Sequence, residues 1–170
     1  MQYNISPETL RDERHPTVSV KDILEKNLTF EMHKDNAVCA NGAMYRKDKR
    51  GFLPELMEKM YNERVVFKKR MIKAKQQYER TKNPKLIKEI ARCHNIQWSK
   101  KIALNSAYGA VGNQYFRYYD VRQASGITTA GQFIIRFIER KVNDYLNSIL
   151  NTEKVDYIVA SDTDSIYVRF

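Results

Sequence analysis

Apolar residues recur along this chain with two different periods. From 53 to 78, Leu56, Met57, Met60, Tyr61, Phe67, Met71 and Ile72 form a broken stripe at spacings that suit one side of a long helix. Pro54 suits the first turn of that helix, and Glu55 and Glu58 suit its positive end. Thr81-Lys82-Asn83-Pro84 breaks the pattern. A second helix is predicted over 85–107, with Leu86, Ile90, Cys93, Ile96 or Gln97, Ile102 and Leu104 at helical spacing. Two long helices joined by so short a turn predict an antiparallel hairpin. A third helix is predicted over 125–150, with Ile127, Ala130, Ile134, Phe137, Ile138, Tyr145 and Ile149 as its buried stripe and Asn151-Thr152 as a polar stop.

Short β-rich runs flank two turns. Asn41-Gly42 predicts a two-residue hairpin turn between 37–40 and 43–46. Lys47-Asp48-Lys49-Arg50-Gly51 is a second, charged turn. Strands are predicted at 156–160 and 166–170, on either side of Ser161-Asp162-Thr163-Asp164-Ser165. Residues 1–36 are weakly patterned, with Ser6 before Pro7 biased away from helix. Gly109, Gly112 and Asn113 punctuate the end of the second helix, with Gly109 as its expected C-cap, and the aromatic-rich 114–119 is expected to be extended. There is no internal repeat or low-complexity tract. The expectation is an α+β chain, with a long helical hairpin inserted between pieces that carry a small antiparallel sheet and one long packing helix.

Charge narrows the class of partner. The 170 residues carry a net charge of +10. Between Arg64 and Lys101 lie thirteen Lys or Arg residues against two acids, Glu79 and Glu89, a local charge of +11. A lysine-rich solvated surface explains a basic chain in general, but so concentrated a charge favours a polyanionic partner. Cys39 and Cys93 have neither zinc-site nor disulfide-framework spacing and are read as reduced thiols. No apolar run reaches membrane-spanning length, and the first residues do not form a signal peptide. His15, His33 and His94 have no partner spacing and receive no role. Trp98 is expected in the core rather than as a base platform.

Two stretches carry chemistry. Lys101, Asn105 and Tyr108 are spaced i, i+4 and i+7, so one helical face presents a cation, an amide and an aromatic ring. Asp162 and Asp164 form a carboxylate pair in a turn, a donor set that suits a divalent metal. An isolated pair of this kind is usually a solvated turn, and Tyr108 alone would be read as core. Together, a cation, a metal and a ring suit a nucleoside polyphosphate. Arg64 and Lys68, at i and i+4 on the first helix, can add two cations facing Lys101.

These stretches resemble the family B DNA polymerases. Lys101, Asn105, Ser106, Tyr108 and Gly109 match that family's second polymerase motif, and Asp162-Thr163-Asp164-Ser165 its third, about 55 residues on. Residues 110–120 look most like the replicative polymerases of T-even-type bacteriophages. Tyr45, Lys47, Asp48, Gly51, Leu53 and Pro54 are similar to the stretch before the family's fingers subdomain. Ala160-Ser161 departs from the usual pair before the third motif. The resemblance implies a partial palm with a hairpin at 1–52, fingers at 53–108, and a palm helix with strand–turn–strand at 109–170. It implies template-directed transfer of nucleotides from deoxynucleoside triphosphates to a primer 3′-hydroxyl. Asp164 and the weaker Asp162 would be the catalytic, metal-holding residues for two Mg²⁺ ions. Arg64, Lys68, Lys101 and Asn105 would bind the triphosphate, and Tyr108 and Gly109 would meet the nascent base pair. The implied partners are primer–template DNA, deoxynucleoside triphosphates and a second polypeptide with the first motif, thumb and exonuclease. The chain is expected to start just downstream of the first motif's aspartate and to work in the cytoplasm of a host cell. The alternatives are a non-catalytic DNA- or nucleotide-binding polymerase fragment and a basic helical scaffold.

Overall fold

The hairpin's two helices meet along a seam repeating every three and four residues. A computed structural model describes residues 2–16, 18–26 and 34–169, so His33 and the last residue of the final predicted strand lie outside the described residues. Helix α2, which follows the short α1 (Val20–Glu25), spans Phe52–Thr81, and α3 spans Lys85–Val111. Among the more protected positions of α2 are Leu53, Met57, Met60, Arg64, Phe67, Met71, Ala74 and Tyr78, and among those of α3 Cys93, Gln97, Lys100, Leu104, Ala107 and Val111 continue the pattern. This 3.5-residue repeat is the knobs-into-holes pattern of paired helices. It leaves Leu56, Tyr61, Ile72 and Ile102, all assigned to the apolar stripes, exposed. Between the helices, Lys82 adopts a left-handed conformation that ends α2, and Asn83 accepts from the Lys85 amide.

Helix α3 runs two residues beyond Gly109, which corrects the expected C-cap; the cap is Gly112. Residues 114–119 fold back in successive turns, with the Phe116 amide on the Asn113 carbonyl and the Tyr119 amide on that of Phe116, rather than extending. Helix α4, Val121–Leu150, begins four residues before the prediction because Asp120 caps it, accepting from the Arg122 amide at 2.8 Å and holding its guanidinium. The buried edge of α4 is Gln123, Gly126, Ala130 and Leu146. The expected stripe of Ile134, Phe137, Ile138, Tyr145 and Ile149 lies open, because the elements described here cover only that edge.

Strands β1 (Leu10–Arg14), β2 (Asn36–Val38) and β3 (Ala43–Arg46) form an antiparallel sheet in the order β1-β3-β2. The β2–β3 connection turns through Ala40 and Asn41, with the Gly42 amide donating to the Cys39 carbonyl and Gly42 left-handed at φ +82°. It is therefore a three-residue loop with a glycine bulge, not the two-residue turn expected of Asn41-Gly42. Cys39, Ala43 and Tyr45 are the buried centre of this sheet, with Tyr3, Ile5 and Leu10 packed on them. Gly126 lets α4 approach it closely: a Cβ there would lie 3.5 Å from both Cys39 Sγ and Tyr45 Oη. Burial pushes the Cys39 thiol up to about 12, so it stays protonated.

Strands β4 (Ile158–Asp162) and β5 (Ser165–Val168) form a second hairpin on the far half of α4. Asn143 and Asn147 tie it down: Asn143 accepts from the Tyr157 amide at 2.9 Å, and Asn147 bonds both the amide and the carbonyl of Val155. Helix α4 thus carries the aspartate turn on one half and meets α3 and β3 with other parts of its length.

Candidate active site

A salt bridge sets the register of the two long helices where their cations lie. Lys100, in the apolar seam of α3, donates to Glu63 on α2, and that hydrogen bond holds the Glu63 carboxyl below its usual range. With antiparallel helices, this pairing brings Arg64 and Lys101 to nearly the same level. Arg64 occupies a seam position that would otherwise be apolar, and its Nε is enclosed with no hydrogen-bond partner among the described residues. A buried guanidinium nitrogen without an acceptor is costly. Lys68 is exposed one turn further along α2.

On α3, Lys101, Asn105 and Tyr108 lie on one exposed face, adjacent to the seam rather than within it. The Lys101 ammonium sits over the Trp98 ring, 5.0 Å from its centroid. Trp98 is 49% exposed, which corrects its expected place in the core. His94 stacks beside it, with centroids 6.1 Å apart and planes inclined by 16°. Tyr108 is 45% exposed and walls an apolar cavity of about 270 Å³, with Leu53, Pro54, Met57, Leu104 and Ala107 at the root of the hairpin. Gly109 is exposed, and a Cβ there would meet nothing within 4 Å.

The aspartate pair lies in the tight β4–β5 turn. Asp162 is the last residue of β4 and pairs with Ser165. Thr163 is left-handed at φ +49°, unusual for a β-branched residue, and turns the chain sharply before Asp164. The Thr163 hydroxyl donates to Asp162 Oδ1 at 2.9 Å. The Asp164 carboxylate makes no hydrogen bond or ion pair among the described residues, and both aspartates are exposed. No third Asp, Glu, His or Cys joins them within metal-binding reach among the described residues. Two carboxylates without nitrogen or sulfur donors suit a hard divalent cation and leave most of its coordination to other oxygens.

The sequence model of DNA polymerase family B matches residues 1–170. The chain belongs to that family. It is 35% identical over 209 residues to the DNA-directed DNA polymerase of Escherichia phage RB69, and 33% identical over 211 residues to that of Enterobacteria phage T4. Each alignment covers 98% of this chain and 23% of the relative, so the chain spans about a quarter of the length of these relatives. The structure of the family B DNA polymerase from the archaeon Pyrobaculum calidifontis matches the fold with a TM-score of 0.62 at 22% identity, covering 100% of this chain and 18% of that one. The α+β character of this family B segment agrees with the sequence expectation. No helix among the described residues is long and apolar enough to cross a membrane. Sequence reasoning missed Lys100 and Trp98. The lysine interrupting an apolar 4-3 repeat would have pointed to the first, and the spacing of His94, Trp98 and Lys101 on one face to the second.

Proposed function

We propose that this chain supplies the nucleotide-binding fingers and part of the catalytic palm of a DNA-directed DNA polymerase. The carrying observation is the Glu63–Lys100 pair, which sets Arg64 nearly level with Lys101 across the hairpin. Arg64 offers a planar fork, and Lys101 and Lys68 offer point charges, a combination suited to a triphosphate. Asn105 extends the same face toward the sugar. Tyr108, with a broad ring half out of the surface and braced by the apolar cavity, would meet the nascent base pair, and Gly109 leaves the backbone beside it uncovered. Positioning and charge complementarity of this kind supply most of the catalysis in phosphoryl transfer.

Asp164 and Asp162 would hold Mg²⁺, which when bound neutralises charge on the phosphates and on the reacting oxygens. Mg²⁺ demands near-octahedral coordination and gives up water reluctantly. Two exposed carboxylates are a loose site, so the proposal includes a polypeptide that carries the first-motif aspartate, the thumb and the exonuclease. Primer–template DNA, deoxynucleoside triphosphates and a host cytoplasm complete the reading.

The test is primer extension by the chain mixed with a polypeptide carrying those segments. Tyr108→Ala should raise misincorporation more than it weakens nucleotide affinity, and Lys101→Ala should do the reverse. Equal losses on both scales would mean the two roles are wrongly assigned. Nucleotide binding without any extension would favour the non-catalytic fragment.

A further inference from the structure

Trp98 is a residue that neither the polymerase motifs nor the fold requires to be where it is. It is the single tryptophan of the chain. A large ring is normally buried, yet this one is half in solvent on the outer face of α3. Two contacts keep it from waving free: His94 stacks on it from one turn earlier, and the ammonium of Lys101 rests over it from one turn later. Lysine carries a long, flexible stem whose ordering costs entropy, and an exposed lysine is otherwise spread over many rotamers. Its neighbour Lys100 is held by Glu63, but no carboxylate ion pair holds Lys101 among the described residues.

We infer that Trp98 is a positioning residue for the triphosphate: its ring holds the Lys101 ammonium at the place on the α3 face where an incoming phosphate meets it, and keeps it there in the complex. The inference rests on the triphosphate role proposed for Lys101. A ring suits this task better than a carboxylate. It attracts the cation without neutralising it, so the open side of the ammonium remains available to phosphate while the ring contact persists. His94 stacking restricts the ring and therefore the ammonium over it.

The experiment uses the full chain, with a deoxynucleoside triphosphate and inorganic tripolyphosphate as separate probes in calorimetric titrations. Trp98→Leu should weaken both by about two- to fivefold, the worth of an exposed cation–π contact, while Trp98→Tyr should keep most of the affinity. In NMR spectra of the unsubstituted chain, the Lys101 ε-methylene protons should be shifted upfield by the ring and stay shifted as tripolyphosphate is added. In the extending mixture, Trp98→Leu should raise KM and leave kcat near its original value. Loss of affinity in Lys101→Ala with none in Trp98→Leu would overturn this inference and leave the triphosphate site standing. No loss in Lys101→Ala would overturn both. Lys101 ε-protons at ordinary positions in the free chain would overturn the inference even if Trp98→Leu failed to fold, and so would Trp98→Tyr binding as weakly as Trp98→Leu.

Discussion

Replacing Asn4 by alanine should loosen the root of the α2–α3 hairpin. Asn4 is buried, and its side-chain amide spans the charged turn that leads into α2. It donates to the carbonyls of Arg46 and Lys49, each at 2.7 Å, and accepts from the Gly51 amide at 2.8 Å. Gly51 is the residue on which α2 starts. Asn4 is also left-handed at φ 57°, a conformation asparagine tolerates and alanine resists. Three hydrogen bonds at about 1 kcal/mol each, plus about 1 kcal/mol for the backbone, give a loss of about 4 kcal/mol for Asn4→Ala. Asn4→Gly removes the same bonds but relieves the backbone, so it should be milder. Urea unfolding followed by circular dichroism measures both. The Thr9 hydroxyl, which donates to the Asn4 carbonyl, is undisturbed in either variant and serves as an internal constant. A loss under about 1 kcal/mol for Asn4→Ala would refute the view that these bonds anchor α2, since a single ordinary hydrogen bond contributes that much.

The +11 segment between Arg64 and Lys101 predicts weak DNA binding by the isolated chain that falls steeply as salt rises, because each phosphate contact releases counterions; binding unchanged between low and high salt would contradict it. The Glu63 carboxyl is held below its usual range by Lys100, so the pair's contribution to stability is present above the ordinary glutamate range and lost as pH falls through the lowered folded value. Melting temperatures of the original chain and Glu63→Gln should therefore differ at neutral pH and converge in acid, and a difference that persists at low pH would count against the pair.

The sequence showed the helical hairpin, the long third helix and both strand–turn–strand units, because long amphipathic stretches and Gly- or Pro-bearing turns are local signals. It misjudged which faces are covered. A 3.5-residue seam drifts slowly from a 3.6-residue stripe, so Leu56, Tyr61 and Ile72 looked buried, while the seam positions of Arg64, assigned to the triphosphate, and of Lys100, counted only within the basic segment, went unseen. Strand β1 was missed because Leu10–Arg14 is mostly charged and exists through pairing with β3, whose partner residues lie 29 and 35 positions away in sequence. Gly109 suggested a cap, yet glycine within a helix costs only about 1 kcal/mol and the helix continues through it. Of the candidate site, the motifs named Lys101, Asn105, Tyr108 and the aspartates. The Glu63–Lys100 clamp and the Trp98 contact depend on helix register and rotamers, which a residue pattern does not carry.

On the function proposed above, this chain contributes a metal-holding carboxylate and a triphosphate site to DNA synthesis. The most direct measurement is primer extension with the chain alone, with the chain mixed with a polypeptide carrying the first-motif aspartate and thumb, and with that mixture bearing Asp164→Asn or Asp162→Asn. The substitution keeps side-chain shape and removes one charged ligand. We expect no extension by the lone chain, extension by the mixture, its loss in Asp164→Asn and a residue of activity in Asp162→Asn, whose carboxylate already accepts from Thr163. Robust extension by the lone chain, or full activity of the Asp164→Asn mixture, would contradict it.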